Sequence, residues 1–225
     1  MHRALVLFDI DGTLVRRAGP HHREALVHGV RRVTGLETTT EGIPVQGMLD
    51  PVILTVMMRV AGARPAAIRE AMPKILRAAE RYYMRVCPSL TDKHCPGVAA
   101  VLERLARRDI LLGLVTGNLT RIGWRKLERA GLREHFRYGA FGEMAKDRGG
   151  LAKLAIFEAR RQGWIGSEAA VSLIGDAPQD IQAARANGIR AISVKTGISP
   201  VGELEALRPD ELLGDLRELR LRMVE

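Results

Sequence analysis

The chain is poor in aromatics, has two cysteines and six lysines, and contains no long apolar run. Each scarcity removes a class of function. Aromatics at 4% leave little for stacking on unpaired bases. Cys87 and Cys95 show no CxxC or Cys/His spacing, so they make no zinc site, and two cysteines in an intracellular chain read as free thiols. No apolar stretch approaches the ~18 residues of a membrane span. The opening apolar run ends at Asp9, too short and too soon acidic for a secretory signal, so a cytoplasmic location is expected. The formal charge is +9, yet the basic residues are scattered as Arg16-Arg17, Arg31-Arg32, Arg107-Arg108 and Arg160-Arg161 rather than gathered in a block. That pattern describes solvated helix faces with a general pull on anions, not a nucleic-acid surface. Oligomeric state leaves no mark in the sequence.

What is present is ordinary for a globular fold: 225 residues, 46% hydrophobic and 27% charged. The organising stretch lies near the start. Ala4 to Phe8 is an unbroken apolar run, as in a strand buried on both faces of a parallel sheet. Asp9 and Asp11 follow at once, then Gly12. Period two places both carboxylates on one side of an extended chain. Like charges so close are costly unless a cation or a proton lies between them. The carboxyl end of a central parallel strand is also where open α/β sheets bind ligands.

The stretch from 16 to 88 then reads as helix and loop. Pro20 opens a helix over His21–Val33 that Gly35 stops. Thr38 to Gln46 has no periodicity. Asp50-Pro51 is expected to cap and open a helix with Ile53, Leu54, Met57 and Met58 on its apolar face. The methionine pair reads as core packing. Pro65 opens a helix to about Val86, with Pro73 as a possible break. After a linker from Pro88 to Gly97 the pattern changes. A helix over Val98–Arg107 and a strand over Ile110–Val115 begin an alternation that runs to about Leu219 and argues for βαβ units. Within it, Ala191–Val194 and Asp210–Leu213 are expected strands, and Gly214–Leu221 an expected terminal helix.

Three further stretches carry chemistry. The strand ending at Val115 leads into Thr116-Gly117-Asn118, which offers a hydroxyl, backbone N–H groups, a capping Asn and the positive end of a helix beginning near Leu119. Basic residues at Lys146, Arg148 and Lys153 flank the start of a helix expected from Leu151. Any of the three could meet an anion, an Arg through its planar fork and a Lys as a point charge. Finally, the strand Ala170–Ile174 ends in Gly175-Asp176-Ala177-Pro178-Gln179-Asp180, with Asp176 at the strand end and Pro178 opening a helix to Gly188.

Phe8-Asp9-Ile10-Asp11-Gly12-Thr13-Leu14-Val15 resembles the DxDGT motif of the haloacid dehalogenase-like hydrolases, in their capped, phosphoglycolate phosphatase-like branch. Thr116, the basic residue near 148 and the GDxxxD-like 175–180 follow in family order. The resemblance implies an α/β fold: a Rossmann-like, mostly parallel sheet flanked by helices, with residues 1–15 and 89–225 as core and 16–88 as an all-helical cap inserted after the first strand. The loop Gly42–Leu49 would be the cap's selectivity loop. It further implies magnesium held by Asp9, Asp11 (through its carbonyl), Asp176 and Asp180. Asp9 would attack phosphorus to form an aspartyl-phosphate, with Asp11 as acid and then base. Thr116, Gly117, Asn118 and Arg148 would bind the phosphoryl group. The expected substrate is a small phosphorylated metabolite. Arg16, Arg17 and His22, near the mouth of the cap, suggest an anionic leaving group. Two alternatives share the motifs: a phosphomutase, and a non-catalytic binding protein on the same fold. A dehalogenase is disfavoured because Asp11 is present.

Overall fold

A computed structural model describes residues 1–16 and 19–225. Arg17, one of the basic residues singled out above, lies outside the described residues. The strands are β1 (His2–Phe8), β2 (Ile110–Val115), β3 (Tyr138–Ala140), β4 (Ile165–Gly175), β5 (Arg190–Val194) and β6 (Glu211–Leu213). They form one sheet in the order β3-β2-β1-β4-β5-β6, and every pairing is parallel. β1 is central, pairing Val6 with Leu112 on one side and with Ser172 on the other.

The alternation of β1 divides its side chains between two cores. Ala4, Val6 and Phe8 join a cluster with α4 (Val98–Ala106) and α5 (Thr120–Ala130). Leu5 and Leu7 face α6 (Arg148–Arg161) and α7 (Pro178–Ala186) on the opposite side. Both faces are covered, which is why the strand carries no polar residue from Ala4 to Phe8.

Between β1 and α4 lie α1 (His21–Thr34), α2 (Asp50–Val60) and α3 (Pro65–Val86). Gly29 lets α1 and α3 approach closely, since a side chain there would press on Ala79 and the Ile75 carbonyl. Leu26, Val30, Ile75, Ala79 and Tyr83 fill the seam. Gly35 closes α1 in the left-handed region at φ 72°, the conformation glycine adopts without penalty.

Several expectations need correction. Pro73 does not break α3, which runs through it to Val86. The helix expected from Leu151 begins at Arg148, because the Asp147 carboxylate caps it by accepting the Gly150 N–H at 2.7 Å. Leu49, not Asp50, stands at the N-cap of α2. The expected terminal helix over Gly214–Leu221 is two short 3-10 turns, Leu216–Glu218 and Leu221–Met223, broken by extended backbone at Leu219. Leu216, Leu219 and Val224 are all buried along this stretch. β3 and a short helix α8 (Val201–Ala206) had no distinct sequence signal. Cys87 and Cys95 are both buried free thiols, and burial pushes the Cys95 thiol up to about 11.

Candidate active site

The candidate residues arrive from the carboxyl ends of the three central strands. Asp9 follows β1 directly, and its N–H donates to the Ile174 carbonyl of β4 at 3.0 Å. The chain then turns tightly: Leu14 and Val15 both donate to the Ile10 carbonyl at 2.9 Å. Gly12, at φ 81°, permits this turn, and a side chain there would collide with the Asp176 carboxylate. From β4, the missing side chain of Gly175 leaves room for the Asp180 carboxylate. Asp180 Oδ2 accepts the Ala177 N–H at 3.1 Å, and Thr13 Oγ1 donates to Asp176 Oδ1 at 3.2 Å.

One oxygen from each of Asp9, Asp176 and Asp180 lies within 4.8 Å of the others, and all three residues are buried. Arg148, at the first turn of α6, faces this cluster. Its Nη1 donates to Asp180 Oδ1 at 2.6 Å and sits 3.2 Å from Asp9 Oδ1. Lys146 and Lys153, the other two basic residues considered, are exposed. Burial, and then the charges of Asp9 and Asp180, push the Asp176 carboxyl well above its ordinary range. Burial likewise pushes Asp180 up to about 6, with Arg148 opposing and Asp9 adding. Burial would discharge Arg148, but Asp180 and Asp9 outweigh it and hold the guanidinium charged.

Three carboxylates against one guanidinium leave a surplus of negative charge, and Asp9 Oδ1 is buried without a hydrogen bond. An all-carboxylate donor set, one oxygen of which accepts no hydrogen bond, fits a hard divalent cation of the magnesium or calcium type. The cluster can hold a metal ion. The Asp11 side chain is not part of it.

Asp11 belongs to a second network. Its carboxylate, half-exposed to the cleft, accepts from Lys126 Nζ at 2.6 Å on each oxygen and from Asn118 Nδ2 at 2.8 Å. Enclosure alone would raise this carboxyl. The Lys126 charge, with the bonds from Lys126 and Asn118, carries it below the ordinary value. Asn118 Nδ2 also donates to Thr116 Oγ1 at 2.7 Å, so Asn118 serves this network instead of capping α5 as expected. Thr116 is fully buried behind it, with its own hydroxyl proton free to donate.

The start of α5 is not open to an anion as expected, because protein carboxylates occupy it. Asp50 Oδ2 accepts the Leu119 N–H at 2.8 Å, and Glu143 accepts the Thr120 N–H at 3.0 Å. Asp50 also meets His22 Nε2 at 2.9 Å, and His22 Nδ1 meets Lys126 Nζ at 3.1 Å. The sequence pattern around Asp50 points only to its own helix. Lys126 was missed, although it lies on the buried stripe of α5 with Ile122, Gly123, Leu127 and Ala130, where a lysine is out of place.

The two networks share a cavity of about 620 Å³, roofed by the stretch from Val45 to Met48 and bordered by Arg16, Arg23 and Lys93. Gln46 Nε2 donates to Ser199 Oγ at 2.5 Å, and the Asp50 N–H donates to the Gly117 carbonyl at 2.8 Å. Those bonds hold the helical stretch against the sheet end.

Comparison with known proteins gives a consistent result. A family model described as haloacid dehalogenase-like hydrolase matches residues 4–188. The chain is 35% identical over 119 residues to a phosphoglycolate phosphatase of Synechococcus elongatus, covering 52% of this chain and 53% of the relative. It is 32% identical over 166 residues to a phosphoserine phosphatase of Thermus thermophilus, covering 72% of this chain and 59% of the relative. The chain thus spans little more than half the length of these two relatives. A crystal structure of β-phosphoglucomutase from Clostridium difficile superposes with a TM-score of 0.72 at 17% identity, covering 99% of this chain and 95% of that one, and shares the fold.

Proposed function

The chain belongs to the haloacid dehalogenase-like hydrolases, and on that footing we propose that it hydrolyses a small phosphate monoester through an aspartyl-phosphate on Asp9, with magnesium in the Asp9, Asp176 and Asp180 cluster. The observation that carries this reading is Arg148 Nη1 lying within 3.2 Å of Asp9 and 2.6 Å of Asp180 at the rim of a buried carboxylate cluster. A nucleophilic carboxylate, a cation-demanding oxygen set and a fixed guanidinium meet there, at a strand end open to the cavity.

Asp9, Asp176 and Asp180, with the Asp11 carbonyl, would hold the metal, which when bound neutralises phosphate oxygens and lowers their repulsion toward Asp9. An Asp9 oxygen forms a bond to phosphorus while the ester oxygen leaves with its electron pair and takes the proton of Asp11 in its protonated form, a minor fraction given the Lys126 charge beside it. Arg148 and the Thr116 hydroxyl, with the Gly117 and Asn118 backbone, would stabilise the equatorial oxygens. In the second step a water oxygen bonds to phosphorus, the water proton passes to Asp11, and the electron pair of the breaking bond returns to the Asp9 carboxylate.

Arg16, Arg23 and Lys93 around the cavity favour a leaving group with its own negative charge. The names of the two curated relatives, phosphoglycolate and phosphoserine phosphatases, describe carboxylate-bearing substrates and support the same choice. His22 is committed to Asp50 and Lys126 and adds no free charge to that rim. The stretch holding α1 to α3 would then act as the cap, and 42–49 as its selectivity loop.

The test is hydrolysis of p-nitrophenyl phosphate with and without magnesium, by the native chain and by Asp9→Asn. The reading expects magnesium-dependent turnover that the substitution abolishes. Turnover by Asp9→Asn at the native rate would overturn it. Phosphoglycolate and phosphoserine should then be turned over with higher kcat/KM than glycerol phosphate.

A further inference from the structure

Lys126 has no part in the two steps above, yet it is placed at considerable cost. Its side chain is 1% exposed, and burying an ammonium is strongly unfavourable unless it is paired. Leu or Met would suit the packed face of α5 better. Among the described residues its Nζ bonds lie within the cleft: both Asp11 oxygens at 2.6 Å and His22 Nδ1 at 3.1 Å.

These contacts define orientation. An ammonium astride both oxygens fixes the Asp11 carboxylate about its terminal bond, and Asn118 Nδ2 holds Oδ2 from a second direction. Lys126 is held in turn. With His22 Nδ1 accepting from the ammonium, Nε2 carries the imidazole proton and donates to Asp50, a tautomer assigned from the bonding pattern. Asp50 is anchored by the Leu119 N–H. The chain Asp11, Lys126, His22, Asp50 therefore runs from the loop after β1 through α5 and α1 to the first residue of α2, then closes on the start of α5.

We propose that Lys126 is a positioning residue for the second step: it holds the Asp11 carboxylate where it meets the attacking water, and His22 and Asp50 hold Lys126. Lys126 gives up no proton and bonds to no substrate atom. The inference rests on the reading of Asp11 as the proton-transfer group. A role confined to the second step has a particular signature. A phenolate leaving group needs little protonation, so formation of the aspartyl-phosphate from an aryl phosphate proceeds in the variant while its hydrolysis slows.

The test uses the full chain with magnesium and p-nitrophenyl phosphate, comparing Lys126→Met, His22→Ala and Asp11→Ala with the native protein. Lys126→Met should lower kcat by about 10- to 100-fold, below the 10²–10⁴-fold contribution of a whole acid–base group. KM should fall in parallel, leaving kcat/KM within about threefold. Rapid mixing should show a stoichiometric burst of nitrophenolate, and acid quench should trap phosphorylated protein. His22→Ala should show the same pattern at smaller amplitude, and carries the test if Lys126→Met does not fold by circular dichroism. Asp11→Ala must itself show the burst. If it does and the Lys126 and His22 variants instead lose kcat/KM without a burst, the inference fails and the Asp11 reading stands. If Asp11→Ala shows no burst, the reading beneath it fails as well.

Discussion

Arg148 donates to Asp180 at 2.6 Å, with both side chains buried, and the same nitrogen reaches Asp9. Among the described residues, the Arg148 guanidinium is the cation in both ion pairs of that cluster. Arg148→Ala should therefore act on stability as well as activity. Removing one partner of a buried ionic group costs about 3–5 kcal/mol, because the stranded charges remain. Urea denaturation of the metal-free protein should show a loss of that size, partly recovered by magnesium. Arg148→Lys should lose less stability but still most activity, since a point charge does not reproduce the fork. An unchanged midpoint for Arg148→Ala would contradict the assigned pairing.

Asp176 and Asp180 make stability depend on pH in an unusual direction. In the unfolded chain a carboxyl loses its proton near pH 4. In the metal-free fold Asp180 keeps it to about 6, and Asp176 is shifted the same way. Across that window the folded state binds more protons, so these two groups lower stability as pH rises. A divalent cation binds only the deprotonated cluster, so protons compete with it. The rise in Tm produced by magnesium should be clearly larger at about pH 7.5 than at about pH 5. Asp180→Asn should flatten the metal-free slope between about pH 4 and about pH 6. An equal magnesium shift at both pH values would exclude the cluster as the metal site.

The legible parts of this protein were local ones. The strand at Ala4–Phe8, its two carboxylates and the pair Asp176 and Asp180 stand within short runs whose pattern follows from burial on both faces and from tight turns. The helices after Pro20, Asp50 and Pro65 were visible for the same reason. β3 was not, because Tyr138-Gly139-Ala140 is three residues long and owes its place to β2. The partners of Asp50 lie 28 and 69 positions away. Its capping of a foreign helix is therefore invisible to any window along the chain. Lys126 was readable in principle, as a lysine on the apolar stripe of α5, but its charge partner lies 115 positions back.

Asp50 should accordingly matter more to α5 than to its own helix. Asp50→Ala strands the Leu119 N–H and the His22 Nε2–H in a buried setting, and each unsatisfied donor costs about 1–3 kcal/mol. Asp50→Asn keeps one oxygen to accept from Leu119 and should cost less. Chemical denaturation at constant m-value gives both numbers. Hydrogen exchange adds a sharper check, with lost protection expected at the first turn of α5. Loss confined to α2 would return Asp50 to a local capping role.

Two glycine-to-alanine changes should have opposite signs. A side chain on Gly117 would run into the Met48 carbonyl, at the point where the roof of the cavity rests on the end of β2. Gly117→Ala must push the stretch near Met48 off its seat and weaken the Asp50 N–H bond to the Gly117 carbonyl. Overpacking of this kind costs about 1–3 kcal/mol, and KM should rise because the same stretch roofs the cavity. Gly202 lies in α8 with open space where its side chain would be. Gly202→Ala removes only unfolded-state freedom and should stabilise by about 0.4–1 kcal/mol with kinetics unchanged. Thermal melts and kcat/KM on the two variants separate a steric effect at the roof from the general effect of alanine. A Gly117→Ala protein as stable and active as the native one would show that the contact between Met48 and the end of β2 does not constrain the closed cleft.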